Sequence, residues 1–216
     1  MGALTTYTQI EKSDLLRTHF PLLTEGTTMI GDQQVRNRGT IGGSIAHSDP
    51  AADMPGIVLA LKAEIVVQGP QGQRTIKADD FFVDTFTTAL EPNELLVELR
   101  FPVLAARTGS AYEKLANKAS HYAIAGCAAL ITRGTDGTCS AASIAITGAT
   151  VRTIRASAVE SALVGSQLDE ATISAAVSHA TDGESMISDI HGSEEYRRKM
   201  AAVVARRAIL KAIERI

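Results

Sequence analysis

The arrangement that most restricts this chain's fold is in its second half, where three strand-like stretches are followed by three helix-like ones. SAYEKLA, AIAGCAALITR and SAASIAITGA read as strands, and Gly134-Thr135-Asp136-Gly137 joins the last two, with Asp-Gly the strong hairpin signal. Helical runs follow at about 155 to 164, ending at Gly165, at about 169 to 181, and from Ser193 onward. Strands first and helices second is the pattern of an α+β domain rather than a doubly wound one. The last helix is the best defined. Ser193 caps it, Glu194 and Glu195 suit its positive end, and Tyr196, Met200, Val203, Leu210 and Ile213 are placed on one packing face. Arg197, Arg198, Lys199, Arg206, Arg207 and Lys211 are then read as its wet face.

The first half mixes helix and sheet. Helical signals run from Gln9, with Ser13 as a cap, and again through Leu22 and Leu23 to Ile30. After a glycine-rich segment, IVLALKAEIVVQGPQGQRTI reads as a helix and then two strands about a Gly-Pro-Gln-Gly turn. Asp79 to Phe82 reads as a short helix, and ELLVELRFP as a strand ending at Pro102. The breakers between Pro102 and Gly109 give a division into residues 1–102 and 103–216.

Bulk properties remove several function classes. A net charge of -3 offers no electrostatic case for nucleic acid. The start lacks a signal-peptide pattern and no apolar run suits membrane insertion, which leads to an expected cytoplasmic location. Cys127 and Cys139 have no metal-ligand spacing and are expected as two buried thiols on strands, and the five histidines form no ligand-spaced cluster. No metal site is expected.

Chemistry concentrates in Gly39-Thr40-Ile41-Gly42-Gly43-Ser44, His47-Ser48-Asp49-Pro50 and Asp53. Paired glycines let a ligand approach the backbone, and successive N–H groups in a turn form a concavity for an anion such as pyrophosphate. Thr40 and Ser44 add hydroxyls, while Asp49 or Asp53 could accept hydrogen bonds from a polyol. Phosphate at one end and polyol at the other is a nucleotide cofactor's profile. The competing reading is structural: the glycines allow a tight turn, and Asp49 caps a helix entered through Pro50. Neither GxGxxG nor GxxxxGK[ST] occurs, which disfavours both common nucleotide folds.

The phrase GTIGGSIAHSDPAADMP, preceded by IGDQQVRNR, resembles the second FAD-binding motif of the medium subunits of molybdenum hydroxylases, the xanthine and carbon monoxide dehydrogenase family. The resemblance continues through FFVDTFTTALEPNELLVELRFP and AYEKLANKASHYAIAGCAAL to DIHGSEEYRRKMAAVVARRAI. It implies the second subdomain of a PCMH-type FAD-binding domain over 1–102 and a carbon monoxide dehydrogenase flavoprotein-like C-terminal domain over 103–216. It places Thr40, Ile41, Gly42, Gly43 and Ser44 at the FAD pyrophosphate, with Ile30 and His47 nearby, and Asp53 at the ribityl or ribose hydroxyls. Leu96 is placed beside the flavin ring, Lys114 reaching it, and Tyr122 over its face. Each also has an ordinary reading: Leu96 as core, Lys114 as solvated, Tyr122 as packing between domains, His47 as a structural hydrogen-bonding group.

The same resemblance implies a large molybdopterin subunit and a small subunit with [2Fe-2S] clusters, whose electrons reach the flavin and leave to an external acceptor. Related subunits begin with a further subdomain carrying an Ala-Gly-Gly loop that this sequence does not show, so the expectation is either a fragment or truncated product or a separate polypeptide supplying that half, with weak FAD binding by this chain alone. The alternative is a flavin-free assembly module or remnant. A likeness to flavin dehydrogenases of the vanillyl-alcohol-oxidase type is a third reading, without support from the second half.

Overall fold

The computed structural model describes residues 1–216. Six short helices come first: α1 (Tyr7–Glu11), α2 (Asp14–His19), α3 (Pro21–Thr28), α4 (Gln33–Arg38), α5 (Ile41–His47) and α6 (Asp53–Ala60). Helices this short owe little to propensity and much to their ends. Side chains of Thr6, Ser13, Asp32 and Thr40 accept from the backbone three residues on in α1, α2, α4 and α5, and Pro21 opens α3.

Strands β1 (Glu64–Gly69) and β2 (Gly72–Lys77) pair antiparallel about the expected turn, where Gly72 takes φ +114°, a conformation open mainly to glycine. After α7 (Ala78–Phe81) and the two-stranded ribbon of β3 (Phe82–Asp84) and β4 (Thr87–Thr88), β5 (Leu95–Arg100) returns to the other edge of β1. The chain's first residues lie along β5, with Ala3 N–H donating to Val97 O at 3.0 Å.

The second half opens with an antiparallel meander of β6 (Thr108–Ala116), β7 (Ala123–Arg133), β8 (Cys139–Thr147) and β9 (Ile154–Arg155). Then come α8 (Ser157–Leu163), α9 (Glu170–Val177) and α10 (Glu194–Ile213). This is the α+β order read from sequence, and both cysteines are buried free thiols on β7 and β8. No helix is long and apolar enough to cross a membrane.

Both faces of the meander are buried, because strand residues alternate sides. Ala125, Cys127, Ala129 and Ile131 pack under α8, α9 and α10. Tyr112, Ala128, Leu130 and Ala145 join the core made by α1, α3, α5, α6 and β1. The halves therefore share a core, and α6, with all eight residues buried, lies inside it.

The packing face of α10 differs from the one read from sequence. Arg197, Ala201, Val204, Ala205, Ala208, Ile209 and Ala212 are buried, while Tyr196 and Val203 are exposed and Met200, Leu210 and Ile213 pack only at the margin. The buried side is built of alanines, so the large apolar residues misplaced the face. Arg197 is accordingly not part of the wet face; its side chain is 4% exposed and paired with Asp189.

Candidate functional site

Thr40 stands in extended conformation before α5 and its Oγ1 accepts from Gly43 N–H at 3.1 Å, so the glycine-rich phrase starts a helix rather than forming an open turn. The neighbouring N–H groups are also taken: Ile41 donates to Thr5 O, Gly42 to Ala3 O and Ser44 to Thr40 O. The expected cradle of successive free N–H groups is thus corrected, because the chain's first residues occupy two of them. The two glycines have different reasons. A Cβ on Gly42 would lie 2.5–2.8 Å from Ala3, including its backbone, so Gly42 admits a neighbouring chain. A Cβ on Gly43 would meet only Thr40 Oγ1, at 2.9 Å, and otherwise projects into open space.

That space is a cleft of about 580 Å³, within the ~300–1,000 Å³ range of small-molecule sites. One wall is Thr40, Gly43, Ser44 and His47; another is Ile30, Gly31 and Val35; the connection from β6 to β7 supplies Ser120, His121 and Tyr122. Arg38 also lines the cleft, exposed and without an ion pair or hydrogen bond, as do Asp49 and the buried Asp53. The cleft therefore presents hydroxyls, a guanidinium and carboxylates to a ligand.

The segment carrying the carboxylates is held by the second half of the chain. Thr147 Oγ1 lies 2.6 Å from Pro50 O and 2.7 Å from Ala52 O, Gly148 N–H donates to Pro50 O, and Ala123 N–H to Ala51 O. Asp49 does not cap α6: its Oδ1 accepts from Ala51 N–H at 2.8 Å and closes a turn, and α6 starts only at Asp53 behind Ala52. Asp53 is 5% exposed, with Oδ1 accepting from the Tyr112 hydroxyl at 2.5 Å and Oδ2 from Lys114 Nζ at 2.8 Å. Burial pushes its carboxyl up against the pull of Lys114 and Tyr112, and pushes the Tyr112 phenol well up, with Asp53 adding to it. Lys114 also donates to Met29 O and His121 O, so all three of its donors are engaged. Burial likewise raises the phenols of Tyr7 and Tyr122.

Of the residues singled out in sequence, Ile30, Thr40, Gly43, Ser44, His47, Asp53 and Tyr122 come together around the cleft. Ile41 and Gly42 are buried behind it. Lys114 lies beneath, directed at Asp53 rather than free to meet a ligand. Leu96 lies elsewhere, half-buried on β5 opposite Val67 and packed on the first core, which is its ordinary reading. Sequence reasoning missed Tyr7, Arg38 and His121. Arg38, beside the glycine-rich phrase, carried a readable signal as the nearest cation; Tyr7 carried none, since its ring arrives against Gly39 only through folding.

Comparison with known proteins places this geometry. Residues 1–104 match the model of the FAD binding domain in molybdopterin dehydrogenase, and residues 110–212 that of the CO dehydrogenase flavoprotein C-terminal domain. The carbon monoxide dehydrogenase medium chain of Hydrogenophaga pseudoflava is 39% identical over 209 residues, covering 97% of this chain and 72% of that one. A 6-hydroxypseudooxynicotine dehydrogenase complex subunit alpha from Paenarthrobacter nicotinovorans is 36% identical over 215 residues, covering 100% and 73%. Among solved structures, CO dehydrogenase from Oligotropha carboxidovorans superposes with a TM-score of 0.95 at 39% identity, covering 99% of this chain and 74% of the other.

Proposed function

Because the chain belongs to the FAD-binding medium subunits of molybdenum hydroxylases of the CO dehydrogenase and xanthine dehydrogenase type, we propose that its cleft holds FAD and that it serves as the electron-transfer subunit of a larger oxidoreductase. The observation that carries this is Gly43: exposed, with only Thr40 Oγ1 within 4 Å of where a Cβ would stand, and lining the cleft together with Thr40, Ser44 and the unpaired Arg38. An anion can come close there. With the backbone N–H groups occupied, the pyrophosphate is met by the hydroxyls of Thr40 and Ser44 and by the Arg38 guanidinium. Asp53 retains acceptor capacity for a ribityl or ribose hydroxyl beside its two present donors. Ile30 and Val35 give apolar cover, and Tyr122 and His121 offer rings at the opposite wall.

When bound, FAD supplies chemistry that accepts electrons singly and delivers them singly or in pairs. This chain's own residues bind it, orient it and shield one side of it from water; none acts as a nucleophile, acid or base. In the assembled enzyme the partners are a large molybdopterin subunit and a small subunit with [2Fe-2S] clusters, and electrons pass from these to the flavin and on to an external acceptor. Affinity purification of the protein from its source tests this. Expected are both partner subunits and about one FAD per copy of this chain; a full assembly without flavin would remove the reading. The flavin-free assembly module draws its support from the occupied N–H groups of α5, and the same purification separates the two.

A further inference from the structure

A second cavity, of about 260 Å³, shares Asp49, Ser120 and Tyr122 with the cleft and is bounded elsewhere by Asn117, His191 and Arg197. The Arg197 guanidinium is almost fully buried, and a buried cation persists only when its donors are paired. Nη2 donates to both Asp189 oxygens at 2.7 Å, Nη1 to Gly148 O at 2.6 Å and Ile124 O at 2.9 Å, and Nε to Gly192 O at 3.4 Å. One side chain thus fastens the 187–192 loop to the ends of β7 and β8. Asp189 Oδ1 in turn accepts from His191 N–H at 2.8 Å and from Gly192 N–H, which fixes where the His191 ring stands.

The His191 ring meets Asn117, with Nδ1 and Nδ2 3.0 Å apart. The direction of this bond is settled by the rest of Asn117. Its Oδ1 accepts from Ala119 N–H at 2.8 Å and Ser120 N–H at 3.2 Å, so its NH2 group faces the histidine and Nδ1 must be the acceptor. The 117–122 loop is closed on itself, Asn117 N–H donating to Tyr122 O and His121 N–H to Asn117 O, so it moves as one piece. Two side-chain ties hold that piece: Lys114 to His121 O on the inside and His191 to Asn117 on the outside. Tyr122, nearly half exposed, has no hydrogen bond from its own hydroxyl to fix it.

We infer that His191, held through Asp189 by the buried Arg197, is a positioning residue that sets the 117–122 loop and so the place of Tyr122 at the cleft. The inference rests on the reading of the cleft as the FAD site, but the tether has a readout of its own. Lys118 is exposed in the middle of the loop, so trypsin cleavage there, located by mass spectrometry without FAD, reports how firmly the loop is held.

The test compares His191→Leu, which removes the acceptor, with His191→Asn, whose Oδ1 stands where Nδ1 did. His191 is exposed, and thermal unfolding confirms that both variants fold. His191→Leu is expected to be cut at Lys118 several times faster than the wild type and to bind FAD about two- to tenfold more weakly, the equivalent of one hydrogen bond. His191→Asn restores both. Cleavage of His191→Leu at the wild-type rate, or His191→Asn behaving like His191→Leu, overturns the tether. Faster cleavage with unchanged FAD affinity keeps the tether and overturns the placement of FAD against Tyr122.

Discussion

Replacing Lys114 by Met keeps the length and apolar stem of the side chain but takes away the cation opposite Asp53. The pair is buried, with side chains 4% and 6% exposed and 2.8 Å between Nζ and Oδ2. Breaking a buried pair from one side costs about 3–5 kcal/mol, because a desolvated charge is left behind. For a chain of this size, where 1 kcal/mol moves Tm by roughly 2–4 °C, the loss is about 6–20 °C. The carbonyls of Met29 and His121 lose their donor in the same step. The deficit depends on pH. Burial already pushes the Asp53 carboxyl up, and removing Lys114 removes its strongest opposing pull, so the carboxyl rises further. A carboxyl raised in the folded state contributes stability that is complete below its unfolded value, near 4, and is lost as pH rises through its folded value. The variant's deficit is therefore greatest near pH 8 and narrows towards pH 5. Thermal unfolding of both proteins from pH 5 to 8 measures it, with Asp53→Leu added to Lys114→Met expected to recover much of the loss. A deficit below about 1 kcal/mol that does not change with pH would refute the reasoning.

The two adjacent glycines should separate by assay. Gly42→Ala forces a Cβ against Ala3 backbone and lowers Tm, whereas Gly43→Val leaves Tm within a few degrees and lowers FAD occupancy; equal effects on Tm would show that both only shape the fold. Arg38→Ala, at an exposed residue without a partner, should weaken FAD roughly tenfold with unchanged thermal unfolding, as read by flavin fluorescence, and the loss should shrink at high salt. Burial pushes the Cys127 and Cys139 thiols up, so neither should react with iodoacetamide at pH 8 until the protein is unfolded; prompt labelling of the native protein would contradict their burial.

Sequence was most informative where periodicity or a turn residue stood alone. The three long strands, the Asp136-Gly137 hairpin and the Ser193 cap all appear as read. It failed where small residues carry the packing. The buried side of α10 is mostly alanine, and hydrophobic size pointed to the wrong face. It failed again at Ile41 and Gly42, because their N–H groups are occupied by Thr5 and Ala3, some forty residues upstream, and no local pattern announces such a contact. Asp53 and Lys114 were both singled out, yet their mutual pairing depends on α6 packing against the meander that carries β6. Leu96, singled out through the family resemblance alone, stands half-buried on β5 against the first core and away from the cleft. Tyr7 and His121 reach the cleft only through tertiary folding.

Titration of FAD into isotope-labelled protein, followed by backbone amide NMR shifts, tests the central claim most directly because it registers weak binding as well as tight. The account expects the largest shifts at residues 38–47 and 120–122, the two segments that both contribute to the lining of the cleft. Shifts confined to other surfaces, or none at millimolar FAD, would contradict it.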